Sequence, residues 1–458
     1  LIPPIIQIIK CAWKDIYKIV SGKIFIKSFG CQMNEYDASK MADIMCHDQG
    51  MKLTDDPSKA DLLLLNTCSV REKPQEKVFS QLGRWHAYKK NNPNIVIGVG
   101  GCVASQEGES IIKRAPYVDM VFGPQTLHRL PKMYDEVITS RHSVVDISFP
   151  KLEKFNFFPK TNQIKPSSFV SIMEGCSKLC SFCIVPYTRG LEVCRPPEQV
   201  MEEIQDLASK GVREVNLLGQ NVNAYRAKNV QGNKITLSNL IEQVTAIPGI
   251  DRIRFTTSHP IQFNEDLIQS FTSPKVANFL HLPVQSGSNK ILQLMKRKHT
   301  VEAYIDKIKK LRDLRPDISI SSDFIVGFPS ETEEDFEQTL TLIDTIGFDQ
   351  SFSFIFSPRP NTSAASMEDT IGYDIKLARL QKLQARITKH AMAISRKMIG
   401  AKESVLVEKQ SKKIKTQMTG RTENNRWVNF DGHQDLIGQF VDLIITEALP
   451  NSLRGRLT

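Results

Sequence analysis

Over the first 140 residues, short apolar β-rich runs at Lys23–Phe29, Asp61–Leu65 and Asn94–Val99 alternate with helical periodicity around Asp37–Gln49 and Lys73–Lys90. That rhythm predicts a parallel sheet wrapped by helices. Pro150–Lys165 is polar, holds two prolines and an aromatic cluster, and reads as a linker. Alternation resumes from Ser168 to Ser357, with six candidate strands at Phe169–Met173, Glu214–Leu218, Arg252–Thr256, Phe279–Pro283, Ile318–Val326 and Phe352–Phe356. Helical stretches fall between them, for example at Glu198–Lys210, Val301–Leu314 and Thr332–Ile346. Six such units predict a partial (β/α)6 barrel with its site at the strand C-termini. In Lys376–Ile399, apolar positions Leu380, Leu383, Ile387, Ala391, Ile394 and Met398 recur every three or four residues, predicting an amphipathic helix with a basic polar face. Ser404–Glu447 shows short alternating strands, Ser404–Val407 and Phe440–Ile445, and predicts a small β-barrel. The expected class is α/β. Its parts are an N-terminal extension (1–22), a parallel-sheet α/β domain (23–145), a linker (146–165), a barrel with trailing helix (166–392) and a C-terminal β-barrel domain (393–458).

Composition narrows this little until it is read by position. The 458 residues, 41% hydrophobic and 24% charged, are those of an ordinary globular chain, not a fibrous or disordered one. The net charge of +10 is unevenly placed. Residues 376–426 carry 14 Lys and Arg against Glu403, Glu408 and Glu423, whereas the first 375 residues sum to +1. Either a solvated charged face or a localised polyanion partner fits such a segment, and the density of charge favours the partner. Leu1–Val20 is Ile-rich but interrupted by Lys10, Lys14, Asp15 and Lys18, with no secretory-signal pattern. With Leu at position 1, part of it is expected to lie outside the mature protein. No uncharged apolar run reaches 18 residues, so no membrane helix is expected.

The cysteines carry the chemistry. Nine are present, at 11, 31, 46, 68, 102, 176, 180, 183 and 194, an odd count in a chain long enough for a full core. A reducing, cytoplasmic setting is expected, not a disulfide framework. Cys31, Cys68 and Cys102 each follow a predicted strand at nearly the same offset. Strand C-termini of a parallel sheet share one edge, so these three converge, unless they are merely small core residues. Cys176, Cys180 and Cys183 form a C-x3-C-x2-C loop after the first barrel strand. Three thiolates on one loop can hold three irons of a 4Fe-4S cluster and leave the fourth open to S-adenosylmethionine. A zinc site would normally close with a fourth Cys or His, and none is near in sequence. At the second strand end Leu218-Gly219-Gln220-Asn221 offers backbone to a ligand, as does Asp323–Pro329 at the fifth; tight turns are the other reading of both.

At this point the chain resembles the radical S-adenosylmethionine superfamily, in which an aromatic residue precedes the last cysteine; here it is Phe182, implied to stack on the adenine. Phe29-Gly-Cys-Gln-Met-Asn-Glu-Tyr-Asp37, Asn66-Thr-Cys-Ser-Val-Arg-Glu72 and Gly100-Gly-Cys-Val-Ala-Ser105 resemble the cluster segments of methylthiotransferases. Met173–Cys176, Pro186–Gly190 and Gly219–Asn223 match the same family, most closely its MiaB-type tRNA methylthiotransferases. The order implied is a methylthiotransferase domain, a radical-SAM barrel and a C-terminal TRAM domain. Cys194 departs from the Ser expected there, and Cys11 and Cys46 match no ligand position.

The resemblance implies two 4Fe-4S clusters, one on Cys176, Cys180 and Cys183, the other, auxiliary, on Cys31, Cys68 and Cys102. S-adenosylmethionine would be bound near Phe182, Gly219 and Gln220. The implied reaction is methylthiolation of carbon 2 of N(6)-isopentenyladenosine beside the anticodon of tRNA. An adenosyl radical removes the hydrogen, because acid–base chemistry at neutral pH cannot activate that C–H bond. Both clusters and the base would share one dry cavity, so that the radical is not quenched. A base in the anticodon stem-loop can be splayed out more cheaply than a paired one. Lys409, Lys412, Lys413, Lys415, Arg421 and Arg426, with Trp427 and Phe430, would contact RNA. Expected partners are tRNA and an electron donor such as a flavodoxin or ferredoxin, with no membrane and a monomeric chain. Related enzymes acting on threonylcarbamoyl-adenosine or on a ribosomal-protein aspartate are the alternatives, with a non-catalytic iron–sulfur RNA-binding protein as a third. The Cys-Gln-Met-Asn segment and the basic C-terminal part favour the isopentenyl-tRNA reading.

Overall fold

The computed structural model describes residues 22–69, 74–150, 155, 157–161 and 164–458. The expected N-terminal extension, with Cys11, lies outside the described residues except for Gly22. The chain divides into two compact units, the first holding residues up to Gln163 together with Tyr187–Gly190, the second Ile164–Pro186 and Leu191–Thr458.

The first unit is built on the strands β1 (Lys23–Ser28), β2 (Lys52–Leu53), β3 (Leu62–Thr67), β4 (Val96–Gly101), β5 (Met120–Phe122) and β6 (Val144–Asp146). They lie in the order β2-β1-β3-β4-β5-β6, every pair parallel. The unbroken apolar run of β3 is buried at all six residues, as an inner strand covered on both faces must be. Alternation sends Leu63 and Leu65 to one face, with Val78, Leu82 and Trp85 of the helix Pro74–Asn91. Leu62 and Leu64 go to the other, with Met41, Ile44 and Met45 of the helix Gln32–Asp48. That helix begins five residues before the predicted start, because its first turn, Gln32 to Glu35, holds a single apolar residue, Met33, too little to show a period. Register then does the essential work. Ser28 pairs with Asn66, and Asn66 with Gly100, so β1, β3 and β4 end in one row. The aromatic cluster of the predicted linker is not a loose connector: Phe155 is buried, and Phe158 packs edge-on against both Phe155 and Tyr36.

In the second unit Ser167–Ser171, Glu214–Leu218 and Arg252–Thr256 form a parallel three-stranded sheet. Val170, Val215, Leu217, Ile253 and Phe255 point to the surrounding helices, sharing a core with Val200, Ile204, Leu240 and Val244. The predicted strand Ile318–Val326 divides in two. Ser319–Ser321 pairs with Phe279–His281, and Asp323–Val326 pairs with Phe352–Ile355. The change of partner falls at Ser322, whose N–H donates to Ser351 Oγ and whose Oγ accepts from the Val284 N–H. A bridge from Ile253 to Val276 and another from Gln285 to Phe324 continue the partial barrel. The C-terminal strands Lys402–Gln410, Gln417–Arg421, Trp427–Asp431, Phe440–Leu449 and Ser452–Leu457 close into a five-stranded barrel.

Buried charge joins that barrel to the larger one. Glu214 accepts from Arg254 Nε at 3.0 Å and Arg252 Nη1 at 3.3 Å. The two guanidiniums also donate to the carbonyls of Arg421, Ser404, Glu423 and Thr422. Arg426, only 2% exposed, forks onto Asp349, with Nη1 at 2.6 Å from Oδ2.

These contacts correct three expectations. Arg426 is an internal ion pair, not an RNA contact. Phe430 is in the core of the small barrel and offers no stacking face. The helix spans Tyr373–Lys397 and crosses residues 392 and 393, so a domain boundary placed there falls inside one continuous helix. Its polar face is not an open basic stripe. Lys376 and Arg379 are buried, and Arg379, Lys382 and Arg386 pair with Glu331 and Glu333, Glu337, and Asp344 respectively. The acidic helix Glu333–Ile346 supplies most of that neutralisation, which linear charge counting cannot see.

Removing one member of the Arg426–Asp349 pair leaves the other buried and unpaired. Arg426→Met is expected to destabilise the second unit by about 3–5 kcal/mol, and Arg426→Met with Asp349→Leu by far less, as read by denaturant unfolding.

Candidate active site

The common edge of β1, β3 and β4 gathers Cys31, Cys68 and Cys102. Cys31 caps the helix Gln32–Asp48, Cys68 follows β3 directly, and Cys102 opens the short helix Cys102–Glu107. Two glycines permit the approach. Gly30 has φ +124°, and a Cβ there would stand 2.2 Å from Cys68 Cβ. Gly101 has φ +95°, and its Cβ would meet the Thr67 carbonyl at 2.3 Å. Asn34, fully buried, ties the edge together. Its Nδ2 donates to the carbonyls of Phe29 at 2.9 Å and Thr67 at 2.8 Å. Its own carbonyl accepts from Asn66 Nδ2 at 2.8 Å, and its Oδ1 faces Cys31 Sγ at 3.7 Å. Arg189 reaches the same point. Its Nη2 donates to Asp37 Oδ2 at 2.6 Å and Asn34 Oδ1 at 3.3 Å, and its Nε lies 3.4 Å from Cys102 Sγ. A hydrogen bond with Cys68, aided by the Arg189 charge and opposed by desolvation, holds the Cys31 thiol well below the ordinary thiol range. Cys31 is thereby drawn toward the thiolate, the form that binds metal.

The second set sits on the loop after Ser167–Ser171. Met173–Glu174 pairs with Val193–Cys194, fixing the loop's entry. Gln220 Oε1 accepts from the Gly175 N–H at 2.6 Å, just before Cys176, so Gln220 shapes the loop from the next strand end. Gly219 lies against Met173, whose Cγ would be 2.5 Å from a Cβ there. Further along, the Ser181 N–H donates to the Met295 carbonyl at 3.1 Å and its Oγ to Leu294. Arg297 Nη1 stands 3.7 Å from Cys180 Sγ. Burial, the largest effect, pushes the Cys176 thiol up to about 11 and Cys183 to about 12. Without metal these thiols keep their protons, and binding metal would release them. His259 and His299 are neutral at physiological pH, held down to about 2 and about 4 by burial and by the Arg297 charge.

Three cysteines in each set are the donors that a cubane with one open iron would need. Among the described residues, no three His, Cys, Asp or Glu side chains converge closely enough to hold one metal ion. In a cubane each thiolate takes its own iron, so the three stand farther apart than the ligands of one zinc. Around the second loop, Asn221 Oδ1, Ser258 Oγ, Arg297 Nε and His299 Nε2 are buried and have no hydrogen-bond partner among the described residues. Such orphans mark places where a polar ligand is accommodated. Phe182 packs against the cluster of Ile291, Met295, Phe328 and Phe356 and stays half-buried.

Sequence reasoning missed Asn34, Asp37, Arg189 and Arg297. The first three lie inside the segments singled out above, yet nothing in spacing assigns them a role. Cys194 is half-buried and accepts from the Arg226 N–H at 3.4 Å, and burial raises its pKa; Cys46 is half-buried on its helix, its thiol also raised by burial. Of the predicted RNA contacts, Lys412, Lys413 and Lys415 are exposed on the turn after Lys402–Gln410. Arg421 is engaged by Glu408 at 3.3 Å and stacks on Trp427, whose ring also takes Lys409 at 4.6 Å.

Three family models match the chain: an uncharacterized protein family, UPF0004, over residues 23–123, the Radical SAM superfamily over 170–343, and the TRAM domain over 396–458. The chain is 60% identical over 436 residues to a tRNA-2-methylthio-N(6)-dimethylallyladenosine synthase of Methylococcus capsulatus, covering 95% of each chain. The identity is again 60%, over 439 residues, to the protein of that name from Hahella chejuensis, covering 95% of this chain and 98% of the relative. Among solved structures it resembles the radical S-adenosylmethionine methyltransferase TsrM from Kitasatospora setae, solved with cobalamin and a [4Fe-4S] cluster. The TM-score is 0.56 at 12% identity, over 76% of this chain and 77% of that one. The cobalamin-dependent radical enzyme OxsB gives a TM-score of 0.52 at 13% identity, over 81% of this chain and 57% of that one. These distant likenesses concern the fold alone.

Proposed function

The chain belongs to the radical S-adenosylmethionine methylthiotransferases of the tRNA-2-methylthio-N(6)-dimethylallyladenosine synthase family, and from that premise we propose how its residues divide the work. It is an enzyme that adds a methylthio group to carbon 2 of N(6)-dimethylallyladenosine in tRNA, using S-adenosylmethionine and iron–sulfur chemistry. The observation that carries the finer reading is the gathering of Cys31, Cys68 and Cys102 at one sheet edge, apart in sequence from the Cys176–Cys183 loop. In this reading there are two 4Fe-4S clusters, one on each set. When bound, the cluster of Cys176, Cys180 and Cys183 supplies the electron that cleaves S-adenosylmethionine, and that of Cys31, Cys68 and Cys102 supplies sulfur.

The chain's own residues do the rest. Gln220 and Gly219 shape the loop that presents the second set, and Phe182 offers an aromatic face to the adenine of S-adenosylmethionine. Asn221, Ser258 and His299 meet its polar groups. Neutral His259 and His299 leave Arg297 as the fixed cation beside Cys180. Lys412, Lys413 and Lys415 contact phosphates of the anticodon stem-loop, with the Trp427 edge flanked by Lys409 and Arg421. Residues 23–145 serve the auxiliary cluster, the segment from 166 through Lys397 the radical step, and the barrel from Lys402 the RNA. The electron donor is a small flavodoxin- or ferredoxin-like protein, and the enzyme works as a cytoplasmic monomer. No helix among the described residues is long and apolar enough to cross a membrane.

Two experiments test this reading. Cys31→Ala is expected to keep reductive cleavage of S-adenosylmethionine and lose the methylthiolated nucleoside, while Cys180→Ala loses both. Nucleoside mass spectrometry and 5′-deoxyadenosine assay distinguish them, and product from Cys31→Ala would overturn the auxiliary assignment. Replacing Lys412, Lys413 and Lys415 by Ala should lower the slope of log affinity for tRNA against log salt by about 2–3, with S-adenosylmethionine cleavage unchanged.

A further inference from the structure

We propose that Arg189 is a positioning residue of the Cys31–Cys68–Cys102 centre, a fixed counter-charge aimed at a ligand sulfur that favours the reduced state of the cluster. This rests on the reading of those cysteines as cluster ligands.

The geometry is specific. Arg189 is 3% exposed and its partner Asp37 is fully buried. Burying such a pair rarely stabilises a fold more than apolar residues of the same size would. The pair is also not closed on itself. Asp37 occupies Nη2, which also reaches Asn34 Oδ1, and this turns Nε toward Cys102 Sγ at 3.4 Å. Asn34 Oδ1 accepts from both Arg189 Nη2 and the Cys31 thiol, so the sulfur the guanidinium addresses directly is that of Cys102. The backbone is held as well: Gln125 Nε2 donates to the Arg189 carbonyl at 2.7 Å, and Gly190 follows at φ +80°. Arg suits this task because its planar fork can bind a carboxylate with one edge and leave Nε–H for a sulfur.

The consequence is electrostatic. Three thiolates concentrate negative charge in a site of low dielectric, and reducing the cluster adds one more. A cation fixed beside a ligand sulfur stabilises the reduced state more than the oxidised one. Hydrogen bonds and charge at the sulfurs are among the main determinants of cluster potential. Asp37 opposes the effect, but the guanidinium is the charge in contact with Cys102 Sγ, its Nε at 3.4 Å.

The test uses the full-length chain carrying Cys176→Ala, Cys180→Ala and Cys183→Ala, reconstituted with iron and sulfide so that only the auxiliary cluster is present. In this background Asp37→Asn is compared with Asp37→Asn plus Arg189→Met, a pair that differs by the guanidinium alone, with the Asp37 charge removed from both. Potentiometric titration followed by electron paramagnetic resonance is expected to show reduction at least tenfold less favourable in the second, 59 mV for one electron. Arg189→Lys in place of Arg189→Met should recover part of the shift. Equal potentials with and without Arg189 would overturn the proposal. If Arg189→Met abolishes cluster assembly, retention of the cluster by Arg189→Lys supports the need for a cation. Loss from both, in protein that is still folded by circular dichroism, assigns Arg189 to packing and overturns it. No cluster in the background chain would instead overturn the assignment of Cys31, Cys68 and Cys102 as ligands.

Discussion

The convergence of Cys31, Cys68 and Cys102 depends on the register of three parallel strands. Because Ser28, Asn66 and Gly100 lie in one row, the residues that follow them leave the sheet at one place. β3 is buried on both faces, so its register is tightly specified: sliding it by one residue would exchange the side chains packed on each helix layer. The edge is then closed by two glycines that admit backbone and sulfur where a Cβ would clash, and by Asn34, whose amide and carbonyl bond the ends of β1 and β3. Hydrophobic burial thus positions residues that are themselves polar and reactive.

Much of this was legible in the chain. Apolar runs located β1, β3 and β4 within a few residues, and the cysteine offsets pointed to their common edge. The C-x3-C-x2-C spacing placed three cysteines on the loop after the first barrel strand, where the structure has them. What could not be read were partnerships between distant residues. Arg189 meets Asp37 from 152 residues away and Asn34 from 155, and no local pattern encodes either contact. Arg297 is similarly remote from Cys180, at 117 residues. The start of the helix at Gln32 was hidden because its first turn faces the cysteine edge and carries no apolar period.

Charge shows the same limit from the other side. The excess in residues 376–426 is a property of the linear chain. In space the helix Tyr373–Lys397 lies against the acidic helix Glu333–Ile346, and Arg426 is enclosed with Asp349. Half of the fourteen basic side chains have a carboxylate partner, and the exposed remainder includes the turn bearing Lys412, Lys413 and Lys415. Lys389, Arg396 and Lys397 stay exposed on that helix, while Lys409 and the turn belong to a barrel anchored through Arg252 and Arg254. Position in the fold thus separates the exposed cations from those that hold the protein together.

The central claim is that two separate sets of three cysteines each hold a cluster. Iron and sulfide analysis of the anaerobically reconstituted chain tests it most directly. The account predicts about eight irons per chain, falling to about four when Cys31, Cys68 and Cys102 are replaced by Ala, and equally when Cys176, Cys180 and Cys183 are replaced. About four irons in the intact chain, unaffected by loss of Cys31, Cys68 and Cys102, would contradict it.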